Sequence, residues 1–138
     1  MKTFYSMIDG RLTSPQPEQH EFLQKKARKE GGEIVFYGAE EYRCFRDQPF
    51  ILNKLRRTPG VTDVVFFTFE QFCYGDKLNL KLMKEIISSG YGLHFAREDL
   101  SLNSLQDIVD NLPVFLAYFY ACKQKDSPSH GELLRGIL

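Results

Sequence analysis

The chain has 138 residues, of which 43% are hydrophobic and 14% aromatic, so it predicts one folded domain rather than a disordered segment. Its 18 Lys and Arg balance 18 Asp and Glu, and this neutral charge argues against a nucleic-acid-binding domain. Three distant cysteines argue against a disulfide framework, and no signal-peptide core or long apolar run is present, so we expect a cytoplasmic protein with no membrane span.

Strand and helix patterns alternate in the first half of the chain. Residues 2–8 predict the first strand, and a helix is expected at about 18–30, where a glycine pair stops it. Residues 33–37 predict the second strand, and Asp47 is a candidate N-cap for a short second helix. The basic run in helix one is expected to form its solvated outer face: Lys25, Lys26, Arg28 and Lys29.

The run 62–72, Thr-Asp-Val-Val-Phe-Phe-Thr-Phe-Glu-Gln-Phe, is the segment around which the other elements are arranged. Its β-branched and aromatic first half is typical of a strand buried on both faces, at the centre of a parallel sheet. A third helix is expected at about 79–89, with Gly90 as its C-terminal cap. Residues 91–96 predict the fourth strand.

A long and unusually apolar helix is expected at about 104–123. Ser104 and Asp107 match a capping box at its start, and Pro113 predicts a kink or restart near Asn111. A helix that is apolar on more than one side is buried from more than one side. We therefore expect a homodimer formed through this helix; the alternative is that the C-terminal tail folds back over its second face.

Together these elements predict an α/β fold: a single-domain, doubly wound parallel sheet of four strands in the order 2-1-3-4, with helices on both faces. The domain is expected to cover residues 1–124, and residues 125–138 to form a loose tail or a short docked helix. The switch point lies between strands one and three, so a ligand is expected at the carboxyl ends of these strands.

Polar residues near these carboxyl ends are the candidate site. His94 is a candidate general acid or base with Glu98 as its orienting partner, and the alternative is a buried, hydrogen-bonded histidine. Glu70 and Gln71 end the central strand and either contact a ligand or cap loops. Further candidate ligand-binding residues lie in strand one, helix one and the loops beside them: Ser6, Arg11, Gln16, Gln19, Glu41 and Arg46.

The start of helix one is expected to attract anions, and Arg11 would reinforce this attraction. A sugar phosphate or sugar nucleotide is therefore the expected small-molecule partner; in the alternative, Gln16 caps the helix and the loop is only solvent-exposed. Neither a dinucleotide-binding nor a P-loop glycine motif is present, and His20 and His130 lack metal-ligand spacing. The sequence thus identifies no cofactor and predicts no metal site.

The order of landmarks from about Thr3 to Tyr120 resembles the N-terminal catalytic domain of serine recombinases, or resolvases. The shared features include glutamines at the start of helix one, the Asp-Val-Val strand followed by Phe-Glu-Gln-Phe, and a Gly-x-Leu strand after helix three. This resemblance implies the same fold. It does not imply the chemistry, because the family's serine position holds Asp9 and a shift onto Ser6 restores too few of the roles. The arginine positions of that family hold Met7, Gln48, Gln71 and Tyr74.

The chain is also similar to a small bacterial family from sporadically distributed surface-carbohydrate gene clusters. The matching pieces include Tyr5-Ser6, Glu41-Tyr42 and, most specifically, Leu93-His94-Phe95-Ala96-x-Glu98. This resemblance implies a role in building or modifying surface glycans such as lipopolysaccharide or capsule, without a mechanism. The alternative function is a non-catalytic dimeric interaction or regulatory module derived from a recombinase-like fold.

Overall fold

Strands and helices alternate along the chain in the computed structural model, which describes residues 1–9, 15–40, 50–74 and 77–126. The strands are β1 (Lys2–Asp9), β2 (Gly32–Glu40), β3 (Asp63–Phe66), β4 (Cys73–Tyr74), β5 (Lys77–Leu78), β6 (Gly92–Phe95) and β7 (Leu100–Leu102). The helices are α1 (Gln16–Lys29), α2 (Phe50–Arg56), α3 (Leu80–Ser88), α4 (Leu105–Asp110) and α5 (Leu112–Asp126), with a 3-10 helix at Phe69–Phe72.

The main sheet has five strands in the order β2-β1-β3-β6-β7. β1 pairs in parallel with β2 and β3, and β3 pairs in parallel with β6, so the predicted order of the four parallel strands is confirmed. The predicted count of four is corrected by β7, which follows a turn at 96–99 and pairs antiparallel with β6 at the sheet edge. β4 and β5 form a separate two-stranded antiparallel ribbon.

β3 is the central strand, as its β-branched and aromatic run predicts. All four of its residues are buried. Val64 and Phe66 belong to the apolar cluster on one face of the sheet, and Val65 belongs to the cluster on the other. Because side chains alternate between faces along a strand, an apolar residue at every position requires cover on both sides.

Helices supply this cover on both faces, which confirms the doubly wound architecture. On one face, α1 packs Leu23 and Ala27 against Phe4, Val65 and Phe67. The other face carries a larger cluster to which α2, α3, α4 and α5 each contribute: Ile51, Met83, Ile108 and Phe115 are examples. Among the described residues, the helices are too short or too polar to cross a membrane.

Local sequence signals place the helix ends. Gly90 follows Ser89, the C-cap of α3, and has φ 96°, a left-handed conformation suited to glycine. Ser104 and Asp107 form the predicted capping box at the start of α4. The helix breaks at Asn111 and restarts as α5, with Pro113 in the first turn where a missing N–H is tolerated.

Candidate functional site

The carboxyl ends of β1, β3 and β6 meet at one edge of the sheet because these strands are parallel. Polar residues follow β3 and β6 at this edge. We call five of them the carboxyl-edge cluster: Thr68, Glu70, Gln71, Arg97 and Glu98. This cluster contains three of the residues that the sequence analysis proposed for the site.

Glu98 bonds to the start of the 3-10 helix. Its Oε1 accepts a hydrogen bond from the backbone N–H of Phe69 at 2.8 Å, and its Oε2 accepts from Thr68 Oγ1 at 2.8 Å. Arg97 Nε also donates to Oε2 at 3.1 Å, and the Glu98 side chain is only 2% exposed. Both carboxylate oxygens therefore have partners within the protein.

Gln71 and Glu70 take different roles in the cluster. Gln71 is buried, accepts from the backbone N–H of Thr68 at 3.1 Å and donates to the carbonyl of Met7 at 3.3 Å. These are the contacts of a capping residue that also ties the 3-10 helix to β1.

Glu70 accepts a hydrogen bond from Arg97 Nη2 at 3.1 Å. Burial alone would lower the pKa of Arg97, but the two carboxylates beside it hold that pKa above its ordinary value.

Gln19 and Asp9 form a second polar contact at the same edge. Gln19 accepts from the backbone N–H of Asp9 at 3.2 Å and donates to its carbonyl at 3.0 Å, and both residues are fully buried. Gln16 is exposed as the first residue of α1, and Pro15 is the residue at the N-cap position. The alternative in which Gln16 caps the helix is therefore wrong.

Ser6 lies within β1 rather than at its end. Its side chain is fully buried, and Oγ donates to the carbonyl of Phe36 at 3.4 Å. The candidate residues Arg11, Glu41 and Arg46 lie outside the described residues, as do the C-terminal positions 127–138 of the predicted tail. The carboxyl edge is therefore described through β1, α1, the 3-10 helix and the turn after β6.

His94 lies on the face of the sheet that α1 covers and is fully buried. Its Nε2 lies 2.7 Å from Asp63 Oδ2, and its Nδ1 lies 3.0 Å from Ser101 Oγ. The edge of its ring packs against Phe4 with centroids 5.0 Å apart. The predicted pairing of His94 with Glu98 is not formed, because both ring nitrogens bond elsewhere; the geometry is that of the buried, hydrogen-bonded histidine.

Asp63, His94 and Ser101 have the composition of a nucleophile triad, but the hydrogen bonds do not run as catalysis requires. The Ser101 hydroxyl donates to Glu30 Oε1 at 2.8 Å. An activated serine must instead give its proton to the histidine. Sequence reasoning missed Asp63 and Ser101; the signal that was available is the Leu-Ser-Leu alternation at 100–102 beside a strand that contains a histidine.

Lys26 corrects the prediction of a solvated basic face on α1. It is 4% exposed, and its ammonium group donates to Glu30 Oε1 at 2.9 Å and Asp99 Oδ1 at 2.8 Å. The hydrogen bond from Lys26 is the largest cause holding the pKa of Asp99 down to about 2. The spacing of the buried residues of α1 could have predicted the burial of Lys26, because they lie on one side of the helix: Gln19, Leu23, Lys26 and Ala27.

Comparisons with known proteins bear on the fold. No family model and no curated protein matches the chain. A crystal structure of a resolvase-family site-specific recombinase from Streptococcus pneumoniae is similar, with a TM-score of 0.53 and 16% sequence identity over 91% of this chain and 99% of that one. The fold is therefore resolvase-like. The resemblance to the surface-carbohydrate family gains no support from these comparisons and stays a prediction.

Proposed function

We propose that the protein is a non-catalytic, dimeric interaction module built on a resolvase-like fold, and that α4 and α5 form the dimer interface. One observation carries this proposal: these two helices leave large apolar side chains exposed, with exposed fractions between 37% and 58%. We call them the α4–α5 apolar face: Leu105, Val109, Val114, Leu116 and Tyr120. Exposed large apolar side chains on neighbouring helices are typical of a protein–protein contact surface.

The opposite side of α5 already has a partner within the chain. Phe115 is fully buried and stacks on Phe69 of the 3-10 helix, with ring centroids 5.2 Å apart and planes 4° from parallel. Tyr118 approaches the same Phe69 ring at 5.9 Å. The apolar residues on the remaining side therefore need a second source of cover.

The spacing of apolar residues along the two helices favours a second copy of the chain as that cover. Leu105 and Val109 of α4 are four positions apart, as are Leu116 and Tyr120 of α5, so each exposed pair lies on one side of its helix. A two-fold interface uses the same patch on both copies, so one apolar stripe is enough to build it.

The polar residues at the carboxyl edge support a role without catalysis. Glu98, Gln71 and Gln19 each bond through both polar atoms of the side chain to other parts of the fold. At the positions that the recombinase resemblance assigns to catalysis, Met7 packs in the apolar core and Asp9 stands at the serine position. These two positions therefore do not hold the arginine and the serine that phosphoryl transfer in that family uses.

Sedimentation velocity over a range of protein concentrations tests the dimer. The wild-type chain should sediment as a dimer, and Leu116→Glu should weaken association at least about tenfold because the interface would bury an unpaired carboxylate. Val35→Glu is the matched control, since Val35 of β2 is 41% exposed and Leu116 is 45% exposed. A monomeric wild type, or an equal effect of both substitutions, would show that the helices do not form the interface.

A second candidate function is binding of a phosphorylated or nucleotide-linked sugar at the carboxyl ends of β1 and β3, in bacterial surface-carbohydrate synthesis. Two observations favour it. The N-terminus of α1 has no side-chain cap among the described residues, and the N-terminal end of a helix attracts anions. Arg97 is 37% exposed at the same edge and can present its guanidinium group to a phosphate.

A thermal-shift screen with sugar nucleotides tests this second function, because a ligand that binds the native state raises its melting temperature. A positive shift should shrink in Arg97→Gln and persist in Arg28→Gln, which changes an exposed arginine of α1. The absence of any shift with sugar phosphates and nucleotide sugars would leave the interaction module as the function.

A further inference from the structure

Four elements are joined by one chain of hydrogen bonds beneath α1, and its Asp63, His94 and Lys26 are buried. It runs from Asp63 at the start of β3 to His94 of β6 at 2.7 Å, and from His94 to Ser101 of β7 at 3.0 Å. Ser101 donates to Glu30 after α1 at 2.8 Å, and Lys26 of α1 donates to the same carboxylate oxygen at 2.9 Å. We call these five residues the polar chain.

The positions of the protons follow from the two carboxylates. The hydrogen bond from Lys26 holds the pKa of Glu30 below its ordinary value. Burial would raise the pKa of Asp63, but hydrogen bonds from His94 and Thr62 hold it below its ordinary value. Both groups are therefore ionised near neutral pH and only accept hydrogen bonds.

Ser101 has one hydroxyl proton, and it donates this proton in the hydrogen bond to the carboxylate of Glu30. The Ser101 oxygen can then only accept from His94 Nδ1, so Nδ1 must carry a proton. The carboxylate of Asp63 requires a donor as well, so Nε2 must also carry a proton. A neutral imidazole has a single N–H and satisfies one of these contacts but not both.

We propose that His94 is held as the doubly protonated imidazolium, and that the polar chain fastens α1 and β7 to the sheet. Removing either ring proton leaves two acceptors facing each other without a hydrogen. The contact to Asp63 or the contact to Ser101 then opens. β7 has only three residues, and Ser101 is the middle one, paired with His94 of β6, so this contact adds to the pairing that attaches the edge strand.

Charge balance inside the chain favours the same protonation state. The five residues carry two carboxylates and one ammonium group, so the imidazolium balances their formal charges, and an unbalanced charge is costly where it is buried. The other groups that face the chain come from β1, from the residue before β3 and from the turn after β6. They are the Phe4 ring 5.0 Å from His94, Lys2 Nζ 3.8 Å from Glu30, the Thr62 hydroxyl 2.6 Å from Asp63, and Asp99 2.8 Å from Lys26.

Gly92 lies beside the contact between Asp63 and His94, and its missing side chain leaves room for the two groups. A Cβ at this position would lie 2.1 Å from Asp63 Oδ2 and 3.1 Å from His94 Nε2. Any side chain there would push the carboxylate off the ring. Glycine at the start of β6 is therefore part of the arrangement that brings the two groups together.

Nitrogen NMR of the histidine rings in the full chain tests the protonation state directly. At pH 7, both ring nitrogens of His94 should show the protonated pattern. His20 is the internal comparison, because its Nδ1 has no partner among the described residues. A bare nitrogen on His94 at pH 7 would overturn the proposal.

Amide hydrogen exchange tests the consequence. At pH 7, exchange in β7 should be faster in His94→Gln than in the wild type, because one amide group replaces the two N–H donors on opposite sides of the ring. Equal exchange in both proteins would overturn the proposal, and if the variant fails to fold, the ring-nitrogen spectrum of the wild type decides alone. His94 lies on the opposite sheet face from α4 and α5, so neither readout depends on the dimer.

Discussion

Replacing Glu98 should destabilise the fold, because its carboxylate joins the turn after β6 to the 3-10 helix. A hydrogen bond to a charged acceptor contributes about 1.5–3 kcal/mol, and Glu98 accepts two of 2.8 Å, from the Phe69 amide and the Thr68 hydroxyl. Glu98→Ala removes both and strands a buried N–H, so we expect a loss of about 3–4 kcal/mol. Glu98→Gln keeps the shape and one acceptor but loses the charge, so we expect a loss of about 1–2 kcal/mol.

Urea unfolding followed by far-ultraviolet circular dichroism measures these losses, since the chain contains no tryptophan. Glu21→Gln is the control: Glu21 is 65% exposed, its ion pair with Lys25 spans 3.3 Å, and its loss should cost less than about 0.5 kcal/mol. If Glu98→Gln left the free energy of unfolding within about 0.5 kcal/mol of the wild type, the carboxylate would not be the structural clamp inferred here. A ligand-binding defect in that stable variant would instead restore Glu98 as a site residue.

Three further substitutions test other contacts. Phe115→Ala should lower the free energy of unfolding by about 3–5 kcal/mol, because the ring is fully buried on the 3-10 helix; a loss below about 1 kcal/mol would show that α5 does not pack there. Hydrogen bonds, above all from Lys26, hold the pKa of Asp99 to about 2, so its stabilisation is present above the ordinary value and is lost as the pH falls towards 2. Asp99 has φ 54°, which asparagine also tolerates, so Asp99→Asn changes the charge without straining the backbone. Because Asp99 is 48% exposed, the variant should lose at most about 1 kcal/mol of unfolding free energy at pH 6 and should equal the wild type near pH 2. A difference in stability that persists near pH 2 would contradict this. Gln19→Ala removes two hydrogen bonds to the Asp9 backbone and should speed amide exchange at Asp9 about tenfold. Unchanged protection of the Asp9 amide would show that Gln19 does not hold this strand end.

Elements whose signals are local could be predicted from the sequence. The run at 63–66 has an apolar residue at nearly every position, and this pattern alone predicts a strand that needs cover on both faces. Ser104 and Asp107 are three positions apart, so their capping box forms within a single turn. Pro113 breaks the helix because it lacks an N–H, whatever surrounds it.

Elements that depend on a distant partner could not be predicted in the same way. β7 has three residues, which is too short for a periodic pattern, and it exists because β6 offers an open edge. Lys26 is basic and belongs to a charged run, so its burial depends on a carboxylate 73 positions later in the chain. In both cases the deciding contact was made by a residue that the local pattern does not contain.

The candidate site shows the same division. From the sequence, His94 and Glu98 are close together and both suit catalysis. In the fold, His94 bonds with Asp63, 31 positions away, and Glu98 bonds with Phe69, 29 positions away. Spacing along the chain identified which residues are polar near the strand ends, but it did not identify their partners.

The sequence by itself therefore determined the α/β class, the order of the four parallel strands and the apolar character of the last helices, because these follow from short-range periodicity and short connections. Only the tertiary structure decided which polar groups bond to one another. Parallel pairing sets β3 beside β6, and antiparallel pairing sets β6 beside β7. The register of these strands, not the distance along the chain, brings a carboxylate, an imidazole and a hydroxyl within hydrogen-bonding reach.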